Sequence, residues 1–168
     1  MLPRRTALSR TLIPLLALSG ALWAQGPVPR PAPELKIGAA PVSNWRGRIV
    51  LLAFISTECL HCQRASGVFE QLLHEFAGKL QVAEVAFNQG ADAAAFTKRF
   101  GLSFPVSLSS SDAAHDFLGI ERGARLGTPQ VVVIDRSGVI RAQSERLGSP
   151  ILQTHDYLRE LLKALEAR

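Results

Sequence analysis

The sequence predicts one α/β domain, a three-layer sandwich whose mixed central sheet is flanked by helices, and three observations carry that prediction. Residues 49–55 (Ile-Val-Leu-Leu-Ala-Phe-Ile) are seven consecutive apolar residues without alternation, the pattern of a central strand covered on both faces. Directly afterwards Ala65, Val68, Phe69, Leu72, Leu73 and Phe76 fall at helical spacing and make one apolar stripe. Beyond them strand-like and helix-like segments keep alternating, then close with a hairpin and a last helix.

The remaining elements follow in order. Residues 34–43 hold two short edge strands, punctuated by Gly38 and Pro41. Gly78 ends the first long helix, and Gly67 inside it costs about 1 kcal/mol against alanine unless a bend or close packing needs it. A second strand covers 80–87, and a helix over 92–100 starts on Asp92 and closes at Gly101. A short strand at 104–108 and a short helix at 112–118 come next. Residues 131–134 are strongly strand-like, and Asp135-Arg136-Ser137-Gly138 is a turn sequence leading into 139–143. Ser149-Pro150 starts the last helix, whose apolar face is Leu158, Leu161, Leu162 and Leu165. There are no internal repeats and no second domain.

The 168 residues are 47% hydrophobic, enough for one domain with a proper core. Arg4, Arg5 and Arg10 account for three units of the +5 formal charge, and no acid precedes Glu34. The rest of the chain, sixteen basic against fourteen acidic side chains, is near +2, too mild to argue for nucleic acid. Residues 1–24 read as a secretory signal. The three arginines form its basic region, 12–18 its apolar core and Ala21-Leu22-Trp23-Ala24 its cleavage end. The apolar run is shorter than the ~20 residues of a membrane span and contains Pro14, so membrane attachment follows only if the segment stays uncleaved. Residues 25–33, with Pro27, Pro29, Pro31 and Pro33, read as an extended linker to a domain over 34–168. The expected location is periplasmic or secreted.

Chemistry centres on Cys59-Leu60-His61-Cys62, which holds both cysteines of the chain at the junction of strand and helix. A disulfide-exchanging thiol must ionise near neutral pH, yet a free cysteine with pKa ~8.5 is only about 3% thiolate at pH 7. Lowering the pKa by ~1.5 units is worth ~2 kcal/mol. Cys59 at the first turn of the helix gains from unpaired N–H groups and the helix dipole. His61 adds a positive charge or a hydrogen bond, and Glu58 opposes both. Cys62, one turn in and less exposed, suits the resolving role.

Three competing readings are weaker. An inert Cys59–Cys62 disulfide closes so small a loop that it stabilises little, although an oxidising compartment permits one. Zinc would need His61, His74, His115 or His155 beside the cysteines, but His61 lies inside the pair and the others sit on separate elements. Haem attachment needs histidine after the second cysteine, where Gln63 stands. No cofactor or metal is called for. Gly127-Thr128-Pro129 is a second constellation, and periodicity alone does not link it to the cysteines.

From about residue 33 to 165 the order of motifs resembles the thioredoxin-fold superfamily, in its TlpA/ResA-like branch of extracytoplasmic thiol-disulfide oxidoreductases. The matching stretches are Trp45-Arg46-Gly47-Arg48, Cys59-Leu60-His61-Cys62, Phe104-Pro105-Val106 and Gly127-Thr128-Pro129, followed by Val132-Val133-Ile134-Asp135 and Gly138. The resemblance implies a thioredoxin-like fold with Pro129 cis beside the cysteines and Thr128 offering its backbone to a bound substrate segment. It implies Cys59 as attacking and Cys62 as resolving thiol through a mixed disulfide. Partners would be protein thiols or disulfides and an upstream electron donor or acceptor.

Three substitutions and one insertion depart from the family pattern: Glu58 replaces the usual tryptophan, Leu60 the proline after the first cysteine, and Ala53 the buried acid of thioredoxin. Residues 121–126 look like a small insertion, whose Arg122 and Arg125 read as solvated surface, with steering of an acidic partner as the alternative. The resemblance favours a reductase, whereas His61 matches DsbA-like oxidants, whose potential lies ~150 mV or roughly 7 kcal/mol away. Reductase is the expected direction, with a DsbA-like oxidase as its opposite. Two further readings compete with both. One is a peroxiredoxin-like peroxidase, suggested by Thr57 near Cys59, and one a non-enzymatic binding module with a structural disulfide.

Overall fold

The computed structural model describes residues 28–168, so the expected signal and the first part of the linker lie outside the described residues. The fold is the expected α/β sandwich. Strands β1 (Arg30–Pro31), β4 (Ile49–Ile55), β5 (Leu80–Ala86), β6 (Val106–Leu108), β7 (Gln130–Ile134) and β8 (Val139–Gln143) form one sheet in the order β1-β8-β7-β4-β5-β6. The pairs β4–β5 and β5–β6 are parallel; β4–β7, β7–β8 and β1–β8 are antiparallel. The short strands β2 (Lys36–Ile37) and β3 (Ala40–Pro41) make a separate hairpin.

All seven residues of β4 are buried, because each face of the strand meets a different apolar cluster. Ile49, Leu51, Ala53 and Ile55 share one cluster with Ala65, Phe69 and Leu72 of α1 (Leu60–Glu75) and with Leu158, Leu162 and Leu165 of α4 (His155–Glu166). Phe96 of α2 (Ala93–Phe100) joins the same side. Val50, Leu52 and Phe54 face the other way, against Ala114, Phe117 and Leu118 of α3 (Ser111–Leu118). The Phe54 and Phe117 rings meet there with centroids 5.3 Å apart.

Local chemistry ends the elements. Asp92 and Ser110 cap α2 and α3 by accepting the N–H of Ala95 and Ala113. In the β7–β8 turn, Asp135 Oδ1 accepts from the Ser137 N–H, the Ser137 hydroxyl and the Val139 N–H, while Oδ2 takes Arg141 Nε.

Two expectations change. Arg30–Pro31, read as linker, pairs with Ile140 and Val139 as the outermost strand, held by Arg30 Nη2 on Phe117 O and on the Gln143 side chain. The last helix begins at His155 rather than at Ser149-Pro150. Proline's fixed φ first closes a single 3-10 turn over Pro150–Gln153.

Gly67 is exposed, its φ is ordinary, and a Cβ there would meet nothing within 4 Å. It serves neither a bend nor close packing. Gly67→Ala should therefore stabilise the protein by about 0.5–1 kcal/mol, read as a higher urea midpoint.

Candidate functional site: the start of helix α1

The central strand β4 ends at Ile55, and the chain turns through 56–58 before α1 begins at Leu60. Asn88, just past β5, fixes that turn by accepting the Thr57 N–H at 3.0 Å, and Gln63 Nε2 donates back to Thr57 O. Cys59 is the N-cap of α1, and its sulfur accepts the Cys62 N–H at 3.3 Å. It thus stands where the first N–H groups of the helix have no partners inside the helix.

The two thiols have opposite environments. Cys59 is partly exposed and Cys62 is 0% exposed; both are free cysteines. Burial pushes the Cys59 thiol up. Hydrogen bonds from the Cys62 and Thr128 side chains and from the Cys62 and His61 backbone N–H groups outweigh it, and the thiol lies below its ordinary value. For Cys62 burial dominates, and with the hydrogen bond to the Cys59 sulfur it pushes the thiol up to about 12.

The second constellation lies against the first. The Thr128–Pro129 bond is cis. The Thr128 carbonyl lies 3.5 Å from the Cys59 sulfur, from which it accepts when that sulfur carries its proton. Gln130, fully buried, donates through Nε2 to the carbonyls of Gly127, Glu145 and Arg146. The Gly127 N–H adds a bond to Arg146 O at 2.9 Å. The loop before β7 is thus tied to the chain leaving β8. Between them runs an open groove lined by Arg125, Leu126, Thr128, Arg146 and Leu147.

Residues 30–143 match the model of the AhpC/TSA family. The chain belongs to the AhpC/TSA family. It is 28% identical over 100 residues to the thioredoxin-like protein YneN of Bacillus subtilis, 57% of this chain and 55% of that one, so the match spans about half of the curated relative. A DsbF homologue from Corynebacterium diphtheriae superposes with a TM-score of 0.68 at 18% identity, covering 82% of this chain and 88% of that one. A thiol:disulfide interchange protein of the thioredoxin family from Chlorobium tepidum gives 0.65 at 20% identity, covering 83% and 98%. These likenesses establish a thioredoxin-like fold.

Within this AhpC/TSA chain the other expected site residues fall at the rim. Glu58 and His61 are exposed, and the contribution of His61 that the structure shows is its backbone N–H. Leu60 is 65% exposed beside the cysteines. In the 121–126 segment, Arg122 lies at the surface and is paired with Asp116 and Asp112, which leaves it less available to steer an acidic partner. Its neighbour Arg125 is exposed at the groove. Buried His115 anchors the segment, with Nε2 2.8 Å from Ala124 O.

Four residues escaped the sequence reading: Ser66, Glu84, Asn88 and Gln130. Two carried a signal. Glu84 is the single acid in the apolar run 80–87, and Ser66 adjoins Ala65 in the stripe of α1.

Proposed function

We propose that this chain is an extracytoplasmic thiol-disulfide oxidoreductase that exchanges a Cys59–Cys62 disulfide with protein partners, working as a reductase. One observation carries the reading: two thiols three residues apart, one partly exposed at the helix N-cap and held below its ordinary value, the other buried and pushed up. That asymmetry orders the chemistry. The Cys59 thiolate attacks a partner disulfide, forming a Cys59–partner bond and releasing one partner sulfur as thiolate. Cys62 then loses its proton and attacks Cys59, the second partner sulfur leaves with the bonding pair, and the Cys59–Cys62 disulfide closes. The partner segment lies along Thr128 as an added strand. The interchange protein named above supports this reading, and export rests on Arg4, Arg5, Arg10 and the apolar 12–18 stretch. Among the described residues no helix is long and apolar enough to cross a membrane.

The test is insulin reduction by the full chain with a chemical reductant. Wild type should accelerate it, Cys59→Ser should return it to background, and Cys62→Ser should accumulate a mixed disulfide. A wild type inert at every glutathione poise refutes the reading in favour of a binding module. Thr57 near Cys59 leaves one rival, a peroxidase; peroxide turnover that survives Cys62→Ser would establish it.

A further inference from the structure

The fold buries one carboxylate among the described residues, and nothing in the exchange chemistry above uses it. Glu84 sits in β5 and is 0% exposed. Its neighbours Val82 and Ala86 belong to the cluster under α1, whereas Ala83 and Val85 belong to the opposite one, so alternation turns Glu84 toward α1. In the parallel register it lies beside Ala53 of β4 and Val106 of β6. Its Oε1 is 2.7 Å from the Ser66 hydroxyl, and its Oε2 has no hydrogen-bond partner. The same hydroxyl lies 2.9 Å from the Cys62 carbonyl oxygen.

That geometry contains a proton count. A serine hydroxyl has one hydrogen to donate, and a carbonyl oxygen has none. When Ser66 donates to Cys62 O, the short contact to Glu84 is a hydrogen bond only if the carboxyl supplies the hydrogen. When Glu84 is ionised, the Ser66 hydrogen turns to the carboxylate and Cys62 O loses this bond. The direction in which Ser66 donates therefore follows the charge on Glu84.

We propose that Glu84 is the proton-exchanging partner of the buried thiol, coupled to Cys62 through Ser66. This role rests on the disulfide-exchange reading of the site. As the Cys59–Cys62 bond closes, the Cys62 sulfur attacks Cys59, its proton passes to the Glu84 carboxylate, and the partner sulfur leaves as thiolate with the bonding pair. As the bond opens, an incoming thiolate attacks Cys59, Cys62 leaves as thiolate, and the Glu84 carboxyl returns the proton.

Burial holds the carboxyl up to about 8, with the Ser66 hydrogen bond opposing it, so it is mostly protonated at neutral pH. No charged side chain bonds it among the described residues. On the packed helix start Cys62 and Cys59 lie in or against this cluster while His61 and Arg64 are exposed, and β4 and β6 present Ala53 and Val106. Glu84 and Cys62 are both buried and are joined through Ser66, so a second negative charge there is disfavoured while the first is present. At neutral pH and below, the site is set to protonate Cys62 as its own disulfide opens. Closure gains its base as pH rises through Glu84's titration.

Glutathione linked to Cys59 of the full-length protein is the probe, and its release by Cys62 is followed from pH 6 to 9.5. Wild-type release should rise with a midpoint near 8, as a carboxylate of about that pKa requires. Glu84→Gln keeps shape and polarity but should release about tenfold more slowly at pH 8.5. Ser66→Ala should move the midpoint. Glu84→Gln with wild-type rate and profile overturns the proposal. As a second measurement, the Glu84 carboxyl is titrated by ¹³C NMR in reduced and oxidised wild type. Different midpoints support the coupling, and equal midpoints refute it. Cysteines that form no disulfide at any glutathione poise would instead sink the oxidoreductase reading, and this role with it.

Discussion

Gly127→Ala should lower the melting temperature by roughly 5–15 °C and cut disulfide exchange at least ~10-fold. A Cβ at this position would stand 2.1 Å from Leu147 O and 2.4 Å from the Leu147 carbonyl carbon. Those atoms are backbone, so no rotamer relieves the overlap and the two segments must separate. Separation breaks the Gly127 N–H bond to Arg146 O and strains the three carbonyls gathered on Gln130. Overpacking of this kind costs about 1–3 kcal/mol, and more where hydrogen bonds are lost with it. The loop also places the Thr128 carbonyl against Cys59, so activity falls with stability. Gly67→Ala is the internal control, because the same added methyl there has open space and should stabilise. Thermal melts of the two variants check the contrast, and equal melting temperatures would contradict it.

Glu84→Gln should change how stability depends on pH. The folded carboxyl keeps its proton to about pH 8, whereas the unfolded one loses it near 4.5. Between those values the folded state binds more protons, so wild-type stability falls with rising pH, by up to ~1.4 kcal/mol per unit from this group alone. Below the unfolded value the contribution is fully present; above the folded value it is lost and the slope ends. Glutamine removes the slope. Relative to wild type, the variant should gain of the order of several kcal/mol between pH 5 and 8.5. Urea midpoints across that range measure it, and parallel curves for the two proteins would show that Glu84 ionises normally.

Much of the fold is legible in the residue pattern alone. The unbroken apolar run of β4 identifies the central strand because a strand covered on both faces leaves no position for a polar residue. The stripe from Ala65 to Phe76 and the capping Asp92 do the same for α1 and α2. Cys59 at a helix start is readable because both cysteines fall where strand pattern gives way to helix pattern. Nearness of Thr128 to Cys59 is not, since 69 residues separate them and only antiparallel pairing of β4 with β7 brings them together. Glu84 stands out as the single acid of its strand, but its role is hidden for a related reason. Its meaning depends on parallel register with Ala53 and on a helix laid across both strands, and neither leaves a periodic trace. Arg30–Pro31 misleads because proline-rich composition describes an isolated chain, while a sheet edge accepts proline where its missing N–H would face away.

The Gln130 amide joins three carbonyls from two segments, and that small knot has a practical meaning. Arg146 and Leu147, which line one wall of the groove, are hydrogen-bonded through Gln130 and Gly127 to the backbone that meets the Cys59 sulfur. Pressure from a visiting chain on Leu147 is therefore felt at Thr128. If the groove receives the partner proposed above, its choice and the readiness of Cys59 to react with it are mechanically linked. An engineer who reshapes the wall to admit a new partner will also retune the thiol, and should measure both.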